Sequence, residues 1–213
     1  MLKDELCGVI SNSDIGGGYR FLLLDAPGLA AELQPDVIVA ALGARPAIPP
    51  IPGIDGPNVT VAEKVYMEPE KAGKKLVILG GGLVGCELAI FMAGLGREVT
   101  ILEMAPSLNS GTNLLQGSSI NIEIKRLGID VHLNTKVTKI TPEGVTGEGK
   151  EGEAFFPADT VVCALGMKPN REEAAALALC APEYHVLGDC VIPATVYQAT
   201  NAAYFEALDI GKK

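Results

Sequence analysis

Apolar and polar positions follow two regimes along this chain. From Lys75 onward they alternate in an orderly way, and before that the apolar runs are short and broken by Pro and Gly. Residues 76–79 form a continuous apolar run that predicts a buried strand. Beyond the glycine turn, Val84, Leu88, Phe91 and Leu95 recur at helical spacing, which predicts a helix over about 83–95 with that stripe buried on a sheet. A strand at 98–102, a helix at about 119–127 and a strand at 129–133 follow, with Gly96 and Gly128 placed to cap the two helices. Three short segments near 136–140, 144–148 and 154–156, separated by Gly, Pro and charged turns, predict a small antiparallel meander before a strand at 160–165. The fold class is therefore α/β, a Rossmann-like domain whose strands and helices alternate as in a doubly wound parallel sheet, joined by a three-stranded meander.

The flanks are less regular. A strand at 19–25, a short helix at 27–34 and a strand at 37–42 are expected, with Pro35 and Asp36 as punctuation. Gly16-Gly17-Gly18 is followed by Tyr19-Arg20-Phe21 rather than a helix, so it reads as a loop and not a phosphate cradle. Residues 44–57 hold five prolines and two glycines, which favours an extended connector and a domain boundary. Near the end, a strand at about 184–187 precedes Gly188-Asp189-Cys190, and a final helix is expected over 195–208.

One segment is used twice. Asp36-Val-Ile-Val-Ala-Ala-Leu-Gly43-Ala-Arg-Pro46 recurs as Asp159-Thr-Val-Val-Cys-Ala-Leu-Gly166-Met-Lys-Pro169, matching at six positions in register. Each copy reads as a buried strand whose closing glycine lets another group approach the backbone. Only one glycine-rich fingerprint accompanies the two copies.

That fingerprint is Gly80-Gly81-Gly82-Leu83-Val84-Gly85, which satisfies G-x-G-x-x-G directly after a strand and at the mouth of a helix. Gly80 permits the tight turn, Gly82 lets the backbone meet a pyrophosphate, and Gly85 lets helix and strand pack closely. The helix N-terminus adds free N–H groups and the positive end of its dipole. Eighteen residues beyond Gly85, Glu103 ends the second strand, where a carboxylate accepts from the adenosine ribose hydroxyls. It would repel a 2′-phosphate, and the adjacent Met104 offers no positive charge to offset that. Arg97 precedes the strand and reads as a solvated helix-end residue. NAD(H) is the cofactor expected.

Composition narrows the remaining classes. At 213 residues and 48% hydrophobic content the chain can fill a real core, and a net charge of -9 argues against nucleic acid or an anionic membrane surface as partner. No apolar run reaches the length of a membrane span, and the first seven residues lack the core of a secretory signal, so a cytoplasmic location is expected. The five cysteines never lie two or four residues apart, which speaks against a metal knuckle, an iron–sulfur run or a dithiol pair, and no metal site is assigned. His132 and His185 are too isolated for a catalytic argument and are expected to be structural.

Taken together, the G-x-G-x-x-G-x-Glu87 turn, Glu103, the meander, Ala-Leu-Gly-x-x-Pro-Asn170 and the terminal Gly-Asp189 resemble two-dinucleotide-domain flavoprotein reductases of the pyridine nucleotide-disulfide reductase type, over roughly residues 36–210. Gly81-Gly-Leu-Val-Gly-Cys-Glu87, Ile101-Leu-Glu-Met104 and His185-Val-Leu-Gly-Asp-Cys190 look most like the C-terminal portion of the NADH:flavin oxidoreductase family that includes 2-enoate reductase and 2,4-dienoyl-CoA reductase. The resemblance implies an NAD(H)-binding domain at 58–183, with 1–57 and 184–213 as a partial FAD-binding-type lobe and connector. It implies that Gly43 lies on the FAD side, Gly166 near the nicotinamide nucleotide, Asp189 at the FAD ribityl chain and Glu87 near the nicotinamide where the two cofactors meet.

The chain departs from that pattern in lacking the first glycine fingerprint upstream of residue 36. FAD is thus expected in a complete protein, and tight binding by this chain alone is not. No catalytic acid or base is assigned, because the cofactors carry the chemistry and the protein orients them. The chain is expected to be a fragment or separate domain whose partner is the remainder of a flavoprotein, or a second copy pairing through the 19–42 region. A non-catalytic NAD-binding redox sensor, or a relative of NADH oxidase or ferredoxin reductase, are the alternatives.

Overall fold

The computed structural model describes residues 34–110 and 112–212, together with Gly28, Ala30 and Leu33. The strand expected at 19–25 and the glycine loop at 16–18 lie outside the described residues. Gly28, Ala30 and Leu33 are helical, in line with the helix expected there. The chain divides into two compact units: residues 46–166 form one, and the described residues up to Arg45 with those from Met167 onward form the other.

The 46–166 unit is built on a five-stranded parallel sheet in the order β3-β10-β4-β5-β6, from β3 (Val59–Val61), β4 (Lys75–Leu79), β5 (Glu98–Leu102), β6 (Asp130–His132) and β10 (Thr160–Cys163). Its central strands β4 and β10 are apolar on both faces because both faces are covered. Leu76, Ile78, Ile101 and Val162 point to helices α1 (Ala62–Met67), α2 (Leu83–Gly94) and α3 (Leu114–Arg126). Val77, Leu79, Leu102, Val161 and Cys163 point the other way, onto the antiparallel meander β7 (Lys136–Thr141), β8 (Gly144–Gly149) and β9 (Gly152–Pro157). One face is thus packed by helices and the other by a small sheet.

Helices α2 and α3 end in the same way. Arg97 N–H donates to Met92 and Gly96 N–H to Ala93, and in the second helix Ile129 donates to Ile124 and Gly128 to Lys125. Gly96 at φ +80° and Gly128 at φ +67° are the left-handed residues that this closing pattern requires. Helix α3 begins at Leu114, five residues earlier than apolar spacing predicts, because Asn113 caps it by accepting from Gln116 N–H at 3.0 Å.

The buried face of α2 differs from the expected one. Gly85, Cys86, Leu88, Ala89 and Met92 meet the sheet, whereas Val84, Phe91 and Leu95 are 50%, 37% and 54% exposed. The helix is apolar almost all round, so periodicity does not choose a face. The need for Gly85 to lie against the glycine turn chooses it. Phe91 instead stacks on Tyr66 of α1, with centroids 5.5 Å apart.

The proline-rich stretch expected as an extended connector is packed. Ile51 and Ile54 lie against the meander-side core, Pro52 carbonyl accepts from Ile140 N–H at 2.8 Å, and a β-carbon on Gly53 would overlap the Ile140 carbonyl. Proline removes donors but leaves acceptors and apolar surface, and both are used here.

In the other unit, β1 (Val37–Ala40) runs parallel to β12 (Glu183–Val186), and β2 (Ala44–Pro46) pairs with β11 (Met167–Pro169). The two repeated segments thus place their closing strands side by side. Helix α4 (Arg171–Ala175) contributes Ala174 to a small core with Ala40, Leu177 and Cys190. Helix α5 (Val196–Asp209) starts at a reciprocal cap between Thr195 and Gln198 and buries no residue fully. It is tied down by charge: buried His185 bonds Glu183 through one ring nitrogen and Glu206 of α5 through the other, both at 2.7 Å. Among the described residues no helix is long and apolar enough to cross a membrane.

Candidate functional site

Strand β4 delivers the chain into residues 80–85 at the carboxyl edge of the parallel sheet, beside the end of β10. Gly80 N–H donates to Leu102 and Ala164 N–H to Leu79, both at 2.9 Å, so the turn starts from a fixed frame. Gly80 sits at φ +105°, and a β-carbon there would strike the Ala164 carbonyl. At Gly85 a β-carbon would strike the carbonyl of Gly80 itself. Gly82 is the exception: its φ is -70°, and a β-carbon would meet nothing within 4 Å. Space, not torsion, distinguishes that glycine.

Gly82 is also the N-cap of α2 and offers no side chain to satisfy the helix mouth. The first helical bond is Cys86 N–H to Gly82, at 3.0 Å. The N–H groups of Gly82, Leu83 and Val84 therefore have no acceptor among the described residues. Three unspent donors, a helix dipole and an open approach over Gly82 suit a diphosphate. The fit is good.

Glu103, just past the end of β5, closes one side. One carboxylate oxygen accepts from Gly81 N–H at 2.5 Å and the other from Ala105 N–H at 2.7 Å. Each oxygen keeps lone-pair capacity for a further donor such as a sugar hydroxyl. The opposite side of Gly81 is held as well, since its carbonyl accepts from Asn109 N–H at 2.8 Å and from the Cys86 thiol at 3.3 Å. Asn109 is buried at φ +55°, and its amide lies by the Cys86 thiol without reaching hydrogen-bond geometry. Burial pushes the Cys86 thiol up to about 11; the Glu103 carboxylate adds to the rise and the Asn109 side chain opposes it.

The other residues singled out by sequence fall into two groups. Met104 follows Glu103 and is 63% exposed, and Glu87 is exposed one turn into α2, near enough to Tyr66 to add to a rise in its pKa that burial dominates. Gly166 lies beyond β10 at φ +97°, facing open space, with its carbonyl bonded to Ala47 N–H. All of these share the unit of the glycine turn. Gly43 and Asp189 belong to the other unit, at the ends of the paired strands β1 and β12. Gly43 sits at φ +67° and accepts from Asn170 N–H, and Asp189 accepts from Ala194 N–H at 3.2 Å. No group of three or more His, Cys, Asp or Glu among the described residues is placed to hold a metal ion.

Sequence reasoning missed Asn109 and Cys86. The x-Asn-Ser-Gly loop after β5 carries turn residues that mark it as a tight loop, but nothing local links it to Gly81.

The family described as pyridine nucleotide-disulphide oxidoreductase matches residues 17–203. An NADH oxidase from Thermoanaerobacter brockii is 36% identical, the match covering 70% of this chain and 24% of that protein. A cinnamate reductase from Clostridium sporogenes is 32% identical over 84% of this chain and 27% of its own. Among solved structures, a 2-naphthoyl-CoA reductase in complex with 2-naphthoyl-CoA superposes with a TM-score of 0.82 at 29% identity, over 86% of this chain and 28% of that one. The chain spans about a quarter of the length of these relatives.

Proposed function

The chain belongs to the pyridine nucleotide-disulphide oxidoreductase family, and from that membership we propose that it holds NADH at the Gly80–Gly85 turn so that hydride can pass to a flavin. Members of the family bind FAD and NAD(H). The observation that carries the proposal is the set of unspent N–H groups on Gly82, Leu83 and Val84, at a glycine whose β position has no atom within 4 Å. When bound, the nicotinamide supplies the hydride and the flavin accepts it. The residues of this chain bind and orient: the three amides take the diphosphate, Glu103 takes the adenosine ribose, and Met104 flanks the adenosine end. Gly166 lets the nicotinamide nucleotide approach the backbone, and Glu87 stands at the nicotinamide side. Of the residues 58–183 that this reading gives to NAD(H), those up to Gly166 lie in the unit of the glycine turn, and 167–183 pack with the other unit. Gly43 and Asp189, in the unit that holds the described residues up to Arg45 and those from Met167 onward, serve the flavin, completed by the remainder of the flavoprotein or a second copy.

For the whole enzyme we favour reduction of a conjugated carbon–carbon double bond, as in a 2-enoate or dienoyl-CoA reductase. The match to a cinnamate reductase over 84% of this chain supports that reading. The 36% identity to an NADH oxidase supports a second one, with dioxygen as acceptor. The two separate in an enzyme containing this chain: NADH consumption that requires cinnamate under anaerobic conditions favours the first, and consumption that requires dioxygen favours the second.

Binding is tested on the chain itself. Titration with NADH and NADPH, followed by nicotinamide fluorescence, should show NADH bound more tightly, and Glu103→Ala should narrow the gap. Binding of neither nucleotide refutes the proposal.

A further inference from the structure

We propose that Glu103, together with Cys86 and the backbone of Asn109, sets the shape of the diphosphate cradle before any nucleotide arrives, by pinning both sides of Gly81. The inference rests on the reading that the turn binds a dinucleotide, and deepens it by giving Glu103 a task unrelated to the ribose.

Gly81 has no side chain, so its orientation depends on what its backbone polar groups bond. Its N–H is committed to Glu103, and its carbonyl to Asn109 N–H and the Cys86 thiol. A β-carbon at this position would collide with Leu108, so packing closes the remaining side. The peptide that follows carries the Gly82 N–H, the first of the three donors. Its direction is inherited from Gly81.

The second carboxylate oxygen matters equally. By accepting from Ala105 N–H it fixes the Glu103 side chain against its own loop, so the carboxylate cannot swing away when the ribose is absent. A charge-assisted bond from an amide to a held carboxylate is among the stronger single hydrogen bonds available. Cys86 supplies the weakest of the contacts, since a thiol is a poor donor. It sits in the first turn of α2, coupling the helix to the turn it follows.

A carboxylate that only met the ribose would behave differently. Toward a nucleotide lacking the 2′ and 3′ hydroxyls it would contribute nothing, or would weaken binding by repelling phosphate. A carboxylate that shapes the cradle must strengthen binding of that same ligand, despite its charge.

The test measures calorimetric binding of NADH and of 2′,3′-dideoxyadenosine 5′-diphosphate to the chain and to Glu103→Ala, Glu103→Gln, Cys86→Ala and Cys86→Ser. We expect Glu103→Ala to weaken the dideoxy ligand about tenfold, the loss typical of one charged hydrogen bond. Glu103→Gln, which retains one acceptor oxygen, should recover part of the loss. Cys86→Ser, which keeps a donor, should bind more tightly than Cys86→Ala. Dideoxy binding that is unchanged or tighter in both Glu103 variants overturns the inference and leaves the dinucleotide site intact. Failure of the unaltered chain to bind either ligand instead removes the underlying reading. Amide hydrogen exchange at residues 81–84 of the ligand-free chain gives a second readout: it should accelerate in Glu103→Gln while β4 and β5 stay protected, and unchanged exchange counts against the proposal.

Discussion

Gly85 faces the carbonyl oxygen of Gly80 so closely that no β-carbon fits between them. Helix α2 is thereby pressed onto the turn that precedes it, and the close approach sets which face of the helix is buried. Gly85→Ala should cost about 1–3 kcal/mol, the usual range for forcing an extra carbon into a packed site. Urea denaturation checks this, and a midpoint equal to that of the unaltered chain contradicts it.

Gly82→Ala should behave in the opposite way. Its φ of -70° suits any residue and its β-carbon would meet no atom within 4 Å. The melting temperature should be unchanged while NADH affinity falls, because the methyl group would occupy the space the diphosphate needs. Retained affinity would show that the ligand approaches from elsewhere.

The His185 ring links β12 to α5, with one nitrogen at Glu183 and the other at Glu206, and Glu183 also accepts from Gly211 N–H at 3.0 Å. Hydrogen bonding first to Glu183 and then to Glu206 raises its pKa above the ordinary imidazole value, against the opposing effect of burial. A raised folded-state pKa stabilises fully below about pH 6.5, the unfolded value, and that contribution disappears as pH climbs through the folded value. The unit carrying α5 should accordingly lose stability on the alkaline side of pH 6.5, and Glu206→Gln should flatten the dependence. An imidazole proton resonance with its midpoint at or below pH 6.5 would rule this out.

Thiol reactivity should be graded. Burial pushes Cys163 up to about 11, as it does Cys86, whereas Cys180 is half-buried near the surface. Iodoacetamide at pH 8 should modify Cys180 first and reach Cys86 and Cys163 only on unfolding, since the thiolate is the reacting form. Peptide mass spectrometry reads the order, and equal early labelling of all three is the contrary result.

Much of the 46–166 unit was legible in the order of residues because its signals are local. Gly80–Gly85, the glycines that close α2 and α3, and the meander strands each announce themselves within a few positions. What was not legible depends on distant partners or on geometry. The buried side of α2 follows from one close approach that hydrophobic spacing does not encode. The packing of Ile51 and Ile54 under a proline-rich stretch needs the meander to exist first. His185 meets Glu206 only because α5 returns over β12, and Asn109 meets Gly81 only because the loop after β5 folds back over the turn. The earlier start of α3 was readable in Asn113-x-x-Gln116, a cap signal that apolar periodicity overlooks.

Ala47 donates to Gly166 at 2.9 Å, so the opening and closing residues of the 46–166 unit are neighbours. The unit is therefore an insertion with touching ends, topologically a loop grown to the size of a domain. A cassette of that kind can be excised, permuted or grafted without stretching the backbone it interrupts.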